Sequence, residues 1–350
     1  MSHRRRPRGR DVFEYSGKPV RWVLGAALVL FTLANGLSAI AASFPVLLIS
    51  RAAAGAGAGL YSPTAFNAAA SMVSPARRGR ALGLVVGGLA LGTAVGVPCG
   101  LVLAEHFGWT SALWLIVLLG GIALAGVVLR MPEIAAAAPP SFRQRIAVLM
   151  DARVAATIGV SFVTSPASIG LYTFAAPLLR TTAGVTDALP YLWTWSLGGL
   201  VGVYFCGVLI DATGRSEWMM SIVLVLMLSV FTLLERALSH QASAFAVFGI
   251  WGVAVWSSQA PQQHRLLSLH PDKGNIVVAL QSSAHYRGSA AGTALGGLAL
   301  AVGFRLTQLP LLCTGLIVLA LSGQFGVAFW ARSDANRARR SIVPIERNLS

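Results

Sequence analysis

Ten apolar stretches, each bounded by charged or turn residues, constrain this chain more than any other feature. They run at about 22–42, 45–73, 81–104, 109–130, 154–179, 186–210, 217–236, 243–264, 275–304 and 307–331. At 1.5 Å per residue, a helix of about 20 such residues crosses a hydrocarbon core of about 30 Å. Lipid offers backbone groups no hydrogen-bond partner, so long uninterrupted apolar runs must become helices. An all-α polytopic membrane protein is therefore expected. Composition agrees, because only 11% of the residues are charged, against about 25% in an ordinary soluble domain.

The net charge of +15 raises the question of nucleic acid, but the basic residues lie in short runs between apolar segments and do not form one face. No nucleic-acid partner is expected. Of the 27 lysines and arginines, 22 fall in residues 1–21, 77–80, 130–153, 215, 265–273 and 332–347, and the intervening loops hold only Arg180, Arg236 and Arg305. Basic loops stay inside, so both termini are expected in the cytoplasm and the lipid partner is the inner (plasma) membrane. Trp22, Trp218 and Trp330 fall at one set of span ends, and Trp109, Trp114, Trp193 and Trp195 at or near the other, as in an interfacial belt. The expected organisation is a basic segment 1–21, a four-span bundle 22–130, a loop 131–153, a six-span bundle 154–331 and a basic tail 332–350. Cys99, Cys206 and Cys313 all lie in apolar segments without metal or disulfide spacing. No cofactor or metal is implied, and a monomer is expected.

The third segment reads RALGLVVGGLALGTAVGVPCGLVLAEHFGW from Arg80 to Trp109. Glycines at 83, 87, 88, 92, 96 and 100 strip side chains from one helix face, which lets a neighbouring backbone approach, and Pro98 is placed to bend the rod. The cluster Gly96-Val-Pro98-Cys-Gly100, with Phe107-Gly108-Trp109 after it, resembles the fifth-helix motif of proton-driven antiporters in the major facilitator superfamily. The form is most similar to the bacterial branch that exports sugars, arabinose-type compounds and chloramphenicol-like drugs.

Other motifs extend the resemblance to nearly the whole chain from about Glu14 onward. Leu48-Ile-Ser-Arg51-Ala-Ala-Ala-Gly55 resembles the family's fourth-helix arginine motif, which implies a link between Arg51 and proton coupling. Asp211-Ala-Thr-Gly214-Arg215 is similar to the cytoplasmic loop motif, in which the acid pairs with the arginine to latch one conformation. Glu14-Tyr-Ser-Gly17-Lys18 stands 197 residues before it, and Gly100 stands the same 197 before Gly297, so two similar bundles are expected. The family fold has two pseudo-symmetric bundles of six helices, whereas ten spans stand here. Alignment of the motifs makes the absent pair the first two.

Charges and polar groups inside the spans are the candidate site. An arginine at the bilayer centre costs about 2.5–3.5 kcal/mol on insertion scales, which marks Arg51 and Arg287. Arg287 falls near the middle of the ninth span beside Gln281 and His285, and it either meets an anionic substrate group or marks an inactive copy. His285 is the one group there that titrates near neutral pH, and no Asp or Glu lies deep in any span; a hydrogen-bonded packing role is the alternative. Ser161, Ser165, Ser168 and Tyr172 share a helical face, where hydroxyls bond a ligand or their own carbonyls one turn back. Gly252, Trp256, Gln259 and Gln263 share another, with Trp251 nearby, and aromatic rings beside amides hold a sugar or a flat drug, or else pack as core.

No HExxH, phosphate loop or cysteine cluster is present, and His285 and Ser289 lie i, i+4 without a nucleophile motif, so no enzyme is expected. Together these observations imply a transporter that moves protons and a small organic solute, a sugar or an antibiotic, by alternating access. Gly55, Gly92, Gly96, Pro98, Gly100, Asp211, Gly214 and Arg215 would carry its conformational change. The competing reading is a truncated membrane protein that does not transport.

Overall fold

A computed structural model describes residues 20–74, 78–132 and 141–346. Among them every regular element is a helix, as lipid requires of ten apolar stretches. Helices stand at all ten expected places: α1 (Val20–Ala39), α2 (Phe44–Ser71), α3 (Arg78–Phe107), α4 (Trp109–Arg130), then, after a short α5 (Phe142–Leu149), α6 (Ala152–Ser165) with α7 (Ala175–Ala183), α8 (Leu189–Thr213), α9 (Ser216–Ala237), α10 (Gln241–Ser257) with α11 (Gln259–Leu269), α12 (Gly274–Ala301) and α13 (Leu309–Glu346). Among the described residues six helical stretches are long and apolar enough to cross a membrane on that ground alone, and α5 meets α6 with its π turn at a bend of 91°. The other places hold helices diluted by glycine, serine or glutamine. Leucines and isoleucines such as Leu118, Ile122 and Leu129 stand exposed on α4, as suits a lipid-facing surface.

Three boundaries differ from the sequence expectation, each for a local reason. The fifth span is broken, because Pro166 cannot donate to the carbonyl one turn back; the chain widens into a π turn at Pro166–Gly170 and restarts as α7 after Phe174. The eighth span is interrupted at Ser258, which ends α10 and precedes α11. Part of the expected central loop is helical, since Ser141 and Gln144 form a capping box that opens α5. The copy at Glu14 to Lys18 lies outside the described residues.

The chain divides into two compact units, residues 1–139 and 140–350. In the first, α1 packs against α2 and α4, and α3 packs against α4 and α2. Small residues set these distances: a Cβ at Gly57 would stand 2.9 Å from the Phe31 backbone nitrogen, and one at Gly120 would stand 2.5 Å from Thr32 Oγ1. The expected glycine seam of α3 is not made there. A Cβ at Gly88, Gly92 or Gly96 would meet nothing within 4 Å, and only Gly100 approaches a neighbour, Ala112, at 3.7 Å. Gly83 and Gly87 lie on the same helix. Pro98 is buried, and α3 continues through it.

In the second unit the close packing that lipid-embedded helices rely on is present. α8 and α10 touch backbone to backbone, because a Cβ at Gly198 or Gly252 would collide with the carbonyl of Gly249 or Trp195. α12 presents Gly288, Gly292 and Gly296, spaced by four, to α6 and the turn beyond it, where Cβ atoms would strike the Phe162 carbonyl, Pro166 and the Phe174 ring. At one end Val148, Val154, Ile158, Leu266, Ile276, Val277 and Ala284 close an apolar core that joins α5, α6, α11 and α12.

Candidate functional site

The glycine seam fixes how α12 is turned, and that rotation carries Gln281 and His285 into the second unit. Opposite them, α6 presents its serine face. Ser161 and Ser165 donate to the carbonyls of Thr157 and Ser161 at 3.3 and 2.7 Å, and Ser168 donates to the Ser165 carbonyl at 3.1 Å. The hydroxyls thus return to their own helix, as polar groups without water do. Ser165 also faces outward, because its Oγ lies 2.7 Å from His285 Nδ1. Gln259 Nε2 stands 2.9 Å from the same nitrogen, so a hydroxyl and an amide both reach Nδ1. The amide nitrogen lies farther from His285 Nε2, at 3.3 Å.

These side chains enclose a polar cavity of about 10 Å³, room for the centre of roughly one water. Ser161, Ser165, Gln259, Gln262, Gln281 and His285 are among its lining residues. Gln262 and Gln281 are only 3% and 1% exposed, yet Gln262 Nε2 and Gln281 Oε1 have no hydrogen-bond partner among the described residues. An unmet buried polar atom costs about 1–3 kcal/mol. Gln262 was missed by helical spacing, which selected Gln263, because the turn at Ser258 breaks the phase between α10 and α11. Ser289, spaced to meet His285, instead donates to its backbone carbonyl at 2.9 Å and not to the imidazole.

An aromatic cluster occupies the same unit. Tyr172 stacks on Trp195 at 4.1 Å between ring centroids, Trp251 stands edge-on to both at 6.2 and 6.3 Å, and Trp256 lies 6.0 Å from Trp195. The indole nitrogens of the three tryptophans and the Tyr172 hydroxyl are buried without hydrogen-bond partners. Trp195, expected at an interface, is therefore core. The glycines of α8 and α10 draw it inward, a signal visible as Gly198, Gly199 and Gly202 against Gly249 and Gly252.

Arg51 belongs to a separate network in the first unit. Its Nη2 donates to Asn35 Oδ1 at 2.6 Å and its Nε to Ser38 Oγ at 3.1 Å, while Ser38 and Ser50 share a 2.7 Å hydrogen bond. Asn35, Ser38 and Ser50 are buried, so α1 and α2 are joined by hydrogen bonds that lipid cannot replace. Gly55, one turn beyond Arg51, has open space around it. Arg287 is exposed on the outer face of α12, away from the cavity.

The expected Asp211–Arg215 pair is not formed. Gly214 adopts φ 63° and caps α8, as a D-x-x-G turn demands, but Asp211 and Arg215 are both exposed and form no ion pair with each other. The ion pair near this end is Glu217–Arg265 at 3.1 Å, between α9 and α11, and Gln324 of α13 donates to the Glu217 carbonyl at 3.0 Å. A second tie joins His270 to Asp151 at 3.1 Å. Burial pushes the Asp151 carboxyl up, but the Arg153 amide and His270 outweigh it and hold the carboxyl below its usual range.

The family model of the Major Facilitator Superfamily matches residues 16–293. The inner membrane transport protein YdhP of Escherichia coli O157:H7 is 27% identical over 302 residues, 84% of this chain and 75% of that protein. The MFS-type transporter YfhI of Bacillus subtilis is 28% identical over 288 residues, 81% of this chain and 71% of its own length. Two solved structures share the fold at 15% identity: a bacterial homologue of the human lysosomal transporter Spinster, with TM-score 0.61 over 89% of this chain and 83% of that one, and the human organic anion transporter MFSD10, with TM-score 0.63 over 87% and 77%.

Proposed function

Because this chain belongs to the Major Facilitator Superfamily, we propose that this membrane transporter exports a small organic solute, a sugar or an antibiotic, in exchange for protons by alternating access. The observation that carries the reading is the closed cavity of the second unit, where Gln262 Nε2 and Gln281 Oε1 are buried without partners. Fold stability alone is better served by apolar residues at such places, so the unmet groups await a ligand or a water. The unpaired indole and phenol groups beside flat aromatic faces add donors that suit a carbonyl- or hydroxyl-bearing ring.

His285 supplies the proton step. The Gln259 amide nitrogen stands 2.9 Å from Nδ1 and 3.3 Å from Nε2, so against a doubly protonated ring donor would face donor. Gln259 must turn its amide over, so a proton on α12 is felt by α11. Arg51, bridged to α1 through Asn35 and Ser38, holds the first unit's hydrogen-bonded seam during the motion. The glycines along α3, with open space at Gly92 and Gly96, leave a face free to slide. Loop basicity supports cytoplasmic termini in the inner membrane. The test is efflux from cells lacking their own exporters, over sugars and antibiotics, with and without a proton uncoupler. Uncoupler-sensitive efflux is expected; none across the panel, or efflux indifferent to the uncoupler, contradicts the proposal.

A further inference from the structure

Arg287 sits at the middle of the 28-residue helix α12, about 20 Å from either end, and is exposed. Its rotation is not adjustable. Gly288, the next residue, lies where any Cβ would stand 2.8 Å from Ser165 Cβ, and Gly292 and Gly296 repeat the contact along the helix. Arg287, about 100° further round, must project from the surface of the second unit. It makes no hydrogen bond or ion pair with the described residues.

A guanidinium at that depth needs a counter-charge or water, and its side chain is too short to reach either end of the helix. Among the described residues no carboxylate pairs with it, and the acidic residues of the sequence lie at or beyond the ends of the expected spans. The same exposed strip carries Ser283, Tyr286 and Ala290, spaced by three and four. Two hydroxyls and one aromatic ring thus flank the cation on one side, and the small Ala290 leaves room beside it on the other. Tyr286 is 64% exposed. Lipid tails offer these polar groups no partner.

We infer that Arg287, Ser283 and Tyr286 form a water-reached anion-binding surface, and that the transported solute carries a carboxylate or phosphate group. The guanidinium fork binds either group through two parallel hydrogen bonds, the Ser283 and Tyr286 hydroxyls extend the donor set, and the Tyr286 ring covers the solute's apolar part. This goes beyond the closed cavity to a second surface of the same unit, and it rests on the transport proposal for the solute's passage. A sugar acid or an acidic antibiotic satisfies both.

The experiment uses the full chain with Ala290→Cys, three residues from the guanidinium on the same face, in native membranes, with labelling at position 290 read by mass spectrometry. Each rate taken relative to that reagent's rate with a free thiol, a sulfonate-bearing methanethiosulfonate should react roughly tenfold faster than its trimethylammonium counterpart. Arg287→Gln should abolish that preference and Arg287→Lys should keep it. Benzoate should slow the reaction and uncharged methyl benzoate should not. The inference is overturned if neither charged reagent reaches position 290, if Arg287→Gln leaves the preference intact, or if benzoate fails to protect or protects no better than its ester. Labelling needs no turnover, so loss of efflux with these results intact contradicts transport alone.

Discussion

His285 Nδ1 lies 2.7 Å from Ser165 Oγ and joins α12 to α6 across 120 residues of chain. Ser165→Ala removes a buried hydroxyl that bonds both the imidazole and the Ser161 carbonyl. The variant should lose about 1–3 kcal/mol of stability, read as a lower thermal midpoint in lipid nanodiscs. An unchanged midpoint would mean that the bond contributes nothing.

Gln281→Leu separates stability from function. It removes a buried acceptor that has no partner, at nearly constant volume, so the protein should unfold no earlier than the parent, while uncoupler-sensitive efflux should fall at least tenfold if Gln281 meets solute. A large drop in stability with normal efflux would identify the glutamine as a structural residue.

The glycines divide by their neighbours. Gly252→Ala drives a methyl group into the Trp195 carbonyl and should destabilise by about 1–3 kcal/mol, because α8 and α10 must part. Gly92→Ala meets open space and should be neutral or mildly stabilising in the same unfolding assay. If Gly92→Ala abolishes efflux without altering stability, the α3 face works in the moving protein.

Glu217→Gln should cost more than the ~0.2–1 kcal/mol of a solvated ion pair, since its side chain and that of Arg265 are only 16% and 11% exposed. Asp211→Asn, at an exposed position, should fall within about 0.5 kcal/mol of the parent. Equal effects of the two would return the latch to the loop motif.

Asp151 gives a pH signature. Its carboxyl is held below the ordinary value near 3.9, so its contribution is present above that pH and is lost as pH falls through the folded value. Asp151→Asn should therefore flatten the acid limb of the stability profile below about pH 4. A limb of unchanged depth would show that other carboxylates set it.

Much of the fold was legible because lipid leaves few choices: uncharged runs marked ten helices and the superfamily motifs gave their order. The candidate site was half legible. His285, Gln281, Gln259 and the serine face converge on one cavity. Gln262 escaped because a turn at Ser258 resets the helical phase, and Trp195 because its position in the chain suggests an interface while glycines draw it into the core. Spacing by four occurs in both α3 and α12, and only the neighbours show that Gly288, Gly292 and Gly296 of α12 pack closely while Gly88, Gly92 and Gly96 of α3 meet open space.

The most direct measurement is solute movement in proteoliposomes holding this chain, with a proton gradient imposed and reversed and the internal pH recorded. Solute should move against the protons in both directions, and His285→Ala should abolish the gradient dependence while leaving Gln281-dependent solute exchange. Solute that ignores the gradient, or a His285→Ala variant as strongly driven as the parent, would contradict proton exchange through the second unit.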